Sequence, residues 1–182
     1  MIFLAEIWKT CLFFLFLLSG MVTTTVSLII TNENVPEDPS LPDLVLDQVT
    51  YWGAGVIVSE SIMAVSMIIA FTTIALHRHR SIILRRVFFL VGLMYYYRAL
   101  TMSITVLPKP DQYWACPKQN SSLTLADVWS KLTRVAGDGG ISLGDKQQFC
   151  GDYIFSGHTM VLIMAYLIVK ECKEQQSKAI NQ

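Results

Sequence analysis

The sequence predicts an all-α membrane protein with four transmembrane helices and both termini in the cytosol. Three observations carry that expectation. The 182 residues are 53% hydrophobic and only 15% charged, with a mean hydropathy of +0.46, too apolar for an ordinary soluble domain. The apolar residues gather in four long stretches nearly free of charge, and a chain this small cannot bury four such helices in its own core. One connection between the stretches is strongly basic, which orients the rest. Lys plus Arg and Asp plus Glu are 14 each, so no basic excess suggests nucleic acid and no acidic excess suggests a disordered tail.

The elements follow in order. No charged side chain lies between Lys9 and Glu33, and Cys11 to Ile30 covers about 30 Å of helix, enough to cross a bilayer, so residues 10–30 form the first span. A signal peptide has a shorter apolar run of about 7 to 15 residues and a small-residue cleavage site, which makes this run an anchor. Residues 31–50 carry Glu33, Glu37, Asp38, Asp43 and Asp47 with no Lys or Arg, an external acidic loop. The second span, 51–76, is interrupted only by Glu60. Residues 77–86, HRHRSIILRR, hold Arg78, Arg80, Arg85 and Arg86 without an acid, and the positive-inside rule assigns them to the cytosol. The third span, 87–107, is interrupted only by Arg98, residues 108–152 form an external loop, and 153–169 make a shorter fourth span with His158 near its start. The tail, 170–182, carries Lys170, Lys173 and Lys178 and is cytosolic. The whole is a single membrane domain, with no repeat, low-complexity tract or soluble domain expected.

Cys116 and Cys150 share the long external loop, where an oxidising compartment favours a disulfide as readily as two free thiols. Asn120-Ser121-Ser122 is a glycosylation sequon on the external side. Gly137-Asp138-Gly139-Gly140 signals tight turns and lacks the strand-then-helix setting of a nucleotide-binding loop.

Ionisable groups inside a span cost about 2.5 to 3.5 kcal/mol on insertion scales and by default mark a paired or functional site. Glu60 is about 13 Å below the external start of the second span, and Arg98 about 15 Å below the external end of the third. Matching depths allow the two to pair, either as an ion pair that fixes helix register or as part of a polar cavity open to the outside. Tyr95, Thr101 and Thr105 share the Arg98 face at helical spacing, a cation, a phenol and two hydroxyls that suit a phosphate. His158, about 8 Å into the fourth span, stands beside Ser156, Gly157 and Thr159. Glycine allows close approach, the hydroxyls orient an imidazole or a phosphoryl oxygen, and histidine serves as acid, base or nucleophile near neutral pH. The alternative is an ordinary packing histidine.

These segments together resemble the sphingomyelin synthase family, a branch of the lipid phosphate phosphatase superfamily. CGDYIFSGHT, Cys150 to Thr159 with Gly151 and Asp152, is similar to the family's third signature. Arg85-Arg86, then Tyr95, Arg98 and Thr101 at the same intervals, resembles the second. Leu41-Pro42-Asp43 resembles the first, with Ser40 in place of its leading Pro. TMSITVLP and GDGGISLGD also look familial, and the likeness covers roughly Pro42 to Val169. The four spans would then be the first four of six. The resemblance implies a multi-pass enzyme of the Golgi or plasma membrane, or of the endoplasmic reticulum, that moves phosphocholine from phosphatidylcholine to ceramide, giving sphingomyelin and diacylglycerol without metal or other cofactor. It implies that His158 protonates the diacylglycerol leaving oxygen and later deprotonates ceramide, while Arg98 steadies the phosphoryl charge.

The family's fourth signature, His-Tyr-Thr-x-Asp-Val, holds the nucleophilic His and Asp, and these 182 residues do not contain it. The other histidines, His77 and His79, belong to the basic connection. The chain therefore reads as truncated before that signature and is expected to have no turnover alone. Competing expectations are a non-catalytic partner that pairs with full-length relatives, forms homo-oligomers or binds ceramide, and a ceramide phosphoethanolamine synthase. A tetraspanin-like scaffold fits less well, since the large loop lacks Cys-Cys-Gly and scaffolding does not need Arg98 or His158 at depth.

Overall fold

The computed structural model describes residues 2–36, 54–78, 80–108, 124–137 and 155–180, with Pro42, Gln48 and Trp52 as single positions. All regular structure among them is helical: α1 (Ile2–Glu33), α2 (Gly55–Leu76), α3 (Arg80–Ile104), α4 (Leu125–Gly137) and α5 (Gly157–Ile180). Three of these are long and apolar enough to cross a membrane, over Ile7–Glu33, Ile57–Leu76 and Arg80–Ile104. α5 is not among them, because its apolar portion gives way at Lys170 to a helix bearing Glu171, Lys173 and Glu174. Its 13 residues from Gly157 to Val169 cover about 20 Å, short of the roughly 30 Å hydrocarbon layer.

Two features go beyond the elements expected from sequence. α3 begins at Arg80, so most of the basic connection is already helical. The long segment after Pro108 contains α4, whose first turn is closed by the Thr124 carbonyl accepting from Asp127 N–H at 2.9 Å and capped by the Asp127 carboxylate accepting from Thr124 N–H at 3.2 Å, the reverse half of a capping box. α1 ends where the Asn34 amide donates to the Ile30 carbonyl at 2.7 Å, satisfying one of the last open acceptors.

The chain divides into two compact units, each described by itself. The first holds residues 1–20, 56–94 and 157–182; the second holds 21–55 and 95–156. In the first unit α1 meets α3 through aromatic rings. Phe13 and Phe89 stand edge to face at 5.8 Å, Phe16 stacks on Phe89 at 5.7 Å, and Phe14 lies 5.4 Å from Phe88. Gly92 permits this approach, since a Cβ there would sit 2.8 Å from the Phe16 ring and 3.2 Å from the Leu17 Cα. Ala70 and Ile74 of α2 and Met160, Ala165 and Cys172 of α5 are buried in the same unit.

In the second unit the α1–α3 contact changes chemistry. Thr24 Oγ1 donates to the Tyr95 carbonyl at 2.6 Å, and Ser27 Oγ reaches the Ala99 carbonyl at 3.0 Å and Ser103 Oγ at 2.7 Å. Ser103 Oγ also lies 2.8 Å from the Ala99 carbonyl, so two hydroxyl protons serve three short contacts. Thr31 approaches the Met102 carbonyl at 3.5 Å, a weaker contact. Ile29, Ala99 and Met102 are buried along this seam. Positions 24, 27 and 31 meet 95, 99 and 102 in ascending order, so α1 and α3 run parallel, and the intervening α2 has to return.

Outward-facing side chains are mostly apolar: Leu12, Leu15 and Leu18 on α1 and Ile57, Ile62, Val65, Ile68 and Phe71 on α2 are all exposed. That is far more apolar surface than a soluble monomer presents, and it suits lipid. The hydroxyls of α2 agree. Ser61, Ser66 and Thr73 each donate to a carbonyl of their own helix four residues back, at 2.7–2.8 Å, which leaves no open donor toward hydrocarbon.

Candidate functional site

α3 positions the cation. Arg98 lies in the second unit with a half-buried side chain and its guanidinium Nε shielded from solvent. Tyr95 and Thr101 flank it one helical turn to either side, both half-buried. Thr101 Oγ1 donates to the Arg98 carbonyl at 2.9 Å, so its proton is held by the helix and its oxygen lone pairs are what remain for another donor. Thr105 is exposed just past the end of α3 and is held by its N–H to the Thr101 carbonyl at 3.1 Å. The Arg98 face therefore narrows from four groups to three on the helix itself. Ser156, also in the second unit, is exposed immediately before α5.

α5 positions the imidazole. Gly157 is its first residue and His158 its second, with Thr159 exposed beside them. His158 is half-buried, its Nε2 is shielded from solvent, and no hydrogen bond to that atom is present among the described residues. A buried ring nitrogen without a partner is costly in a folded protein and commonly marks a group kept for chemistry. Glu60, 6% exposed, lies on α2 in the same unit as His158. A carboxylate this buried within an apolar helix is the costly kind that the sequence flagged. Arg85 and Arg86 lie in the second turn of α3 in this unit; Arg85 Nε donates to the Ser81 carbonyl at 3.3 Å, and Arg86 lines a cavity of about 260 Å³ with Ile82, Ile83 and Gln175. Glu60 and Arg98 belong to different units, and their expected pairing stays an expectation. Among the described residues no group of three His, Cys, Asp or Glu is arranged to hold a metal ion.

Pro42 is exposed, whereas Asp43, Cys116, Asn120, Cys150, Gly151 and Asp152 lie outside the described residues. Sequence reasoning missed the hydroxyl seam beside Arg98. Its signal was present in Thr24, Ser27 and Thr31, spaced three and four apart within an otherwise apolar run.

Residues 149–182, which carry His158 and all of α5, match the family model of the PAP2 superfamily C-terminal region. Over 169 residues it is 36% identical to phosphatidylcholine:ceramide cholinephosphotransferase 2 of Rattus norvegicus, covering 91% of this chain and 46% of that protein. The human protein of the same name is 34% identical over 171 residues, with the same coverage. Phosphatidylcholine:ceramide cholinephosphotransferase 1 of Caenorhabditis elegans is 35% identical over 171 residues, covering 90% of this chain and 35% of the relative. The chain is a homologue of the sphingomyelin synthases over about 90% of its own length, and it spans less than half the length of these relatives.

Proposed function

We propose that the chain contributes four membrane spans, with both termini cytosolic, to a ceramide cholinephosphotransferase of the Golgi or plasma membrane. The observation that carries this reading is the identity of about 35% over nine-tenths of the chain to proteins named for that reaction. The parallel course of α1 and α3 supports the alternation of spans, and the arginines around the start of α3 support the cytosolic assignment of that end. The fourth span comprises α5 up to Val169 together with residues preceding it.

In this reading Arg98 binds the phosphoryl oxygens of phosphatidylcholine through its planar donor fork, with Tyr95 and Thr101 beside it. His158 gives a proton to the departing diacylglycerol oxygen as the phosphorus–oxygen bond breaks, then takes the proton of the ceramide hydroxyl as the new bond forms. Its Nε2, without a hydrogen-bond partner among the described residues, suits that proton traffic. Glu60, buried within the apolar α2, is the third intramembrane polar group assigned to the site. Ser156 and Asp152 lie within two and six residues of His158 and belong to the same motif. The covalent acceptor of phosphocholine is a second histidine, and the three in these 182 residues are His77, His79 and His158. His77 and His79 sit at the opposite membrane face, so these residues alone bind lipid without turnover. Choline is preferred to ethanolamine because the matched relatives are named for choline.

Membranes containing only this chain, given labelled ceramide and photoactivatable phosphatidylcholine, test the reading. The expected result is no labelled sphingomyelin but lipid cross-linking to the chain, reduced about tenfold by Arg98→Gln, the loss of about 1.4 kcal/mol. Sphingomyelin made by the chain alone overturns the lack of turnover; cross-linking indifferent to Arg98 and His158 overturns the site. A chain that lowers a full-length relative's output without binding lipid itself identifies a non-catalytic partner.

A further inference from the structure

α4 is amphipathic in its described side chains. Val128, Trp129 and Leu132 form its apolar side, while Asp127, Ser130 and Thr133 lie elsewhere around the helix. Val128 and Leu132 are half-buried, but Trp129 is 68% exposed. The exposed indole continues the apolar side of α4 out to its open edge, a surface that a lipid boundary can cover.

The second observation fixes where α4 sits. Lys131 Nζ donates to Glu33 Oε1 at 2.6 Å, and the Glu33 side chain is only 5% exposed. Glu33 is the last residue of α1 and of its apolar, membrane-length segment, so it marks the boundary between hydrocarbon and water. The ion pair therefore fastens the middle of α4 at that boundary. Lys131 and Trp129 are two residues apart, about 200° around the helix, so the edge opposite the fastening presents the indole. Trp129 borders the exposed Ser130 and Thr133 on one side and the apolar Val128 and Leu132 on the other. An indole in that position suits the headgroup layer, its ring in the acyl boundary and its N–H toward water.

We propose that α4 is an interfacial helix that lies on the membrane leaflet at the Glu33 end of α1, with Trp129 inserted among lipid headgroups and the Lys131–Glu33 pair holding it at that depth. The proposal rests on α1 spanning the bilayer. It gives α4 a role as a membrane-bound rim at the Glu33 end of α1.

The test uses the full chain with Trp8, Trp52 and Trp114 replaced by Phe, reconstituted in phosphatidylcholine vesicles whose acyl chains carry bromine at defined depths. Trp129 emission is expected to be blue-shifted, quenched most by the shallowest bromine, and at least threefold less sensitive to aqueous iodide than free tryptophan. Adding Lys131→Gln is expected to cut the bromolipid quenching by half or more, and the charge swap Glu33→Lys with Lys131→Glu to restore it. If the triple replacement does not fold, the difference spectrum between the native chain and Trp129→Phe gives the same readings. Full iodide access without bromolipid quenching, in a chain that resists alkaline carbonate extraction, overturns the interfacial helix and leaves the membrane spans standing. Release of the chain by carbonate overturns both. Quenching that Lys131→Gln leaves unchanged overturns the tether.

Discussion

α1 and α3 meet in both compact units, and they meet differently in each. In the first the contact is ring against ring, with Phe13, Phe14 and Phe16 packed on Phe88 and Phe89 and a glycine letting the helices close. In the second it is hydroxyl to carbonyl through Thr24 and Ser27, with Ser27 also meeting the Ser103 hydroxyl. Between helices in lipid there is no hydrophobic drive, so association falls to close packing and to hydrogen bonds. The ring contact supplies surface area and shape. The hydroxyl seam supplies direction and register, since a carbonyl already used within its helix accepts a second donor only along a limited approach. Arg98 lies on the same stretch of α3 as this hydroxyl seam, in the second unit.

Substitutions should separate the two contacts. The largest effect is expected from Gly92→Leu, because even a Cβ there meets Phe16 at 2.8 Å and the Leu17 backbone at 3.2 Å. Overpacking of this kind costs about 1–3 kcal/mol or more, seen as a lowered midpoint of thermal unfolding in detergent micelles followed by near-ultraviolet circular dichroism. Ser27→Ala should cost less, about 0.6–1.7 kcal/mol, the range for single hydrogen bonds between membrane helices. A double-mutant cycle of Ser27→Ala with Ser103→Ala should give a coupling of about 0.5 kcal/mol or more, since the two hydroxyls share one carbonyl. If Ser27→Ala destabilises as much as Gly92→Leu, the division between shape and register is wrong.

Ser61→Ala sits near the bottom of the scale. Its hydroxyl bonds only the Ile57 carbonyl of its own helix, at 2.8 Å, and the change should stay within about 0.5 kcal/mol in the same unfolding measurement. The smallest effect concerns the Cys172 thiol beyond the proposed fourth span. Burial pushes its pKa up, and neighbouring Glu171 pushes it the same way. The native chain then prefers the protonated thiol, so this contribution to stability is present below the unfolded pKa of about 8.5 and is lost as pH rises through the folded value. In a variant keeping Cys172 as the single cysteine, the midpoint of maleimide labelling against pH should lie above about 8.5 and fall to it on denaturation.

The three long apolar helices were readable because bilayer thickness is a length, and a run such as Cys11 to Ile30 can be measured against it. The homology was readable because SGHT at Ser156–Thr159 and the Tyr95, Arg98 and Thr101 spacing stay local in sequence. α4 lies outside the elements expected from sequence although Thr124, Asp127 and the 128, 129, 132 pattern announce a capped amphipathic helix, because a 13-residue helix of mixed polarity carries no length that a bilayer can be measured against. The Lys131–Glu33 pair lay beyond reach for a different reason. Its partners are 98 residues apart, and nothing local in either selects the other.

The most direct test of the account asks from which side of the membrane His158 is reached. In sealed vesicles of known orientation, His158→Cys is placed in a chain with Cys11, Cys116, Cys150 and Cys172 changed to Ser and exposed to a membrane-impermeant thiol reagent. The account predicts labelling from the face that bears Asn120 and none from the face that bears His77 to Arg86. Labelling from the arginine-bearing face alone, or from neither, would contradict it.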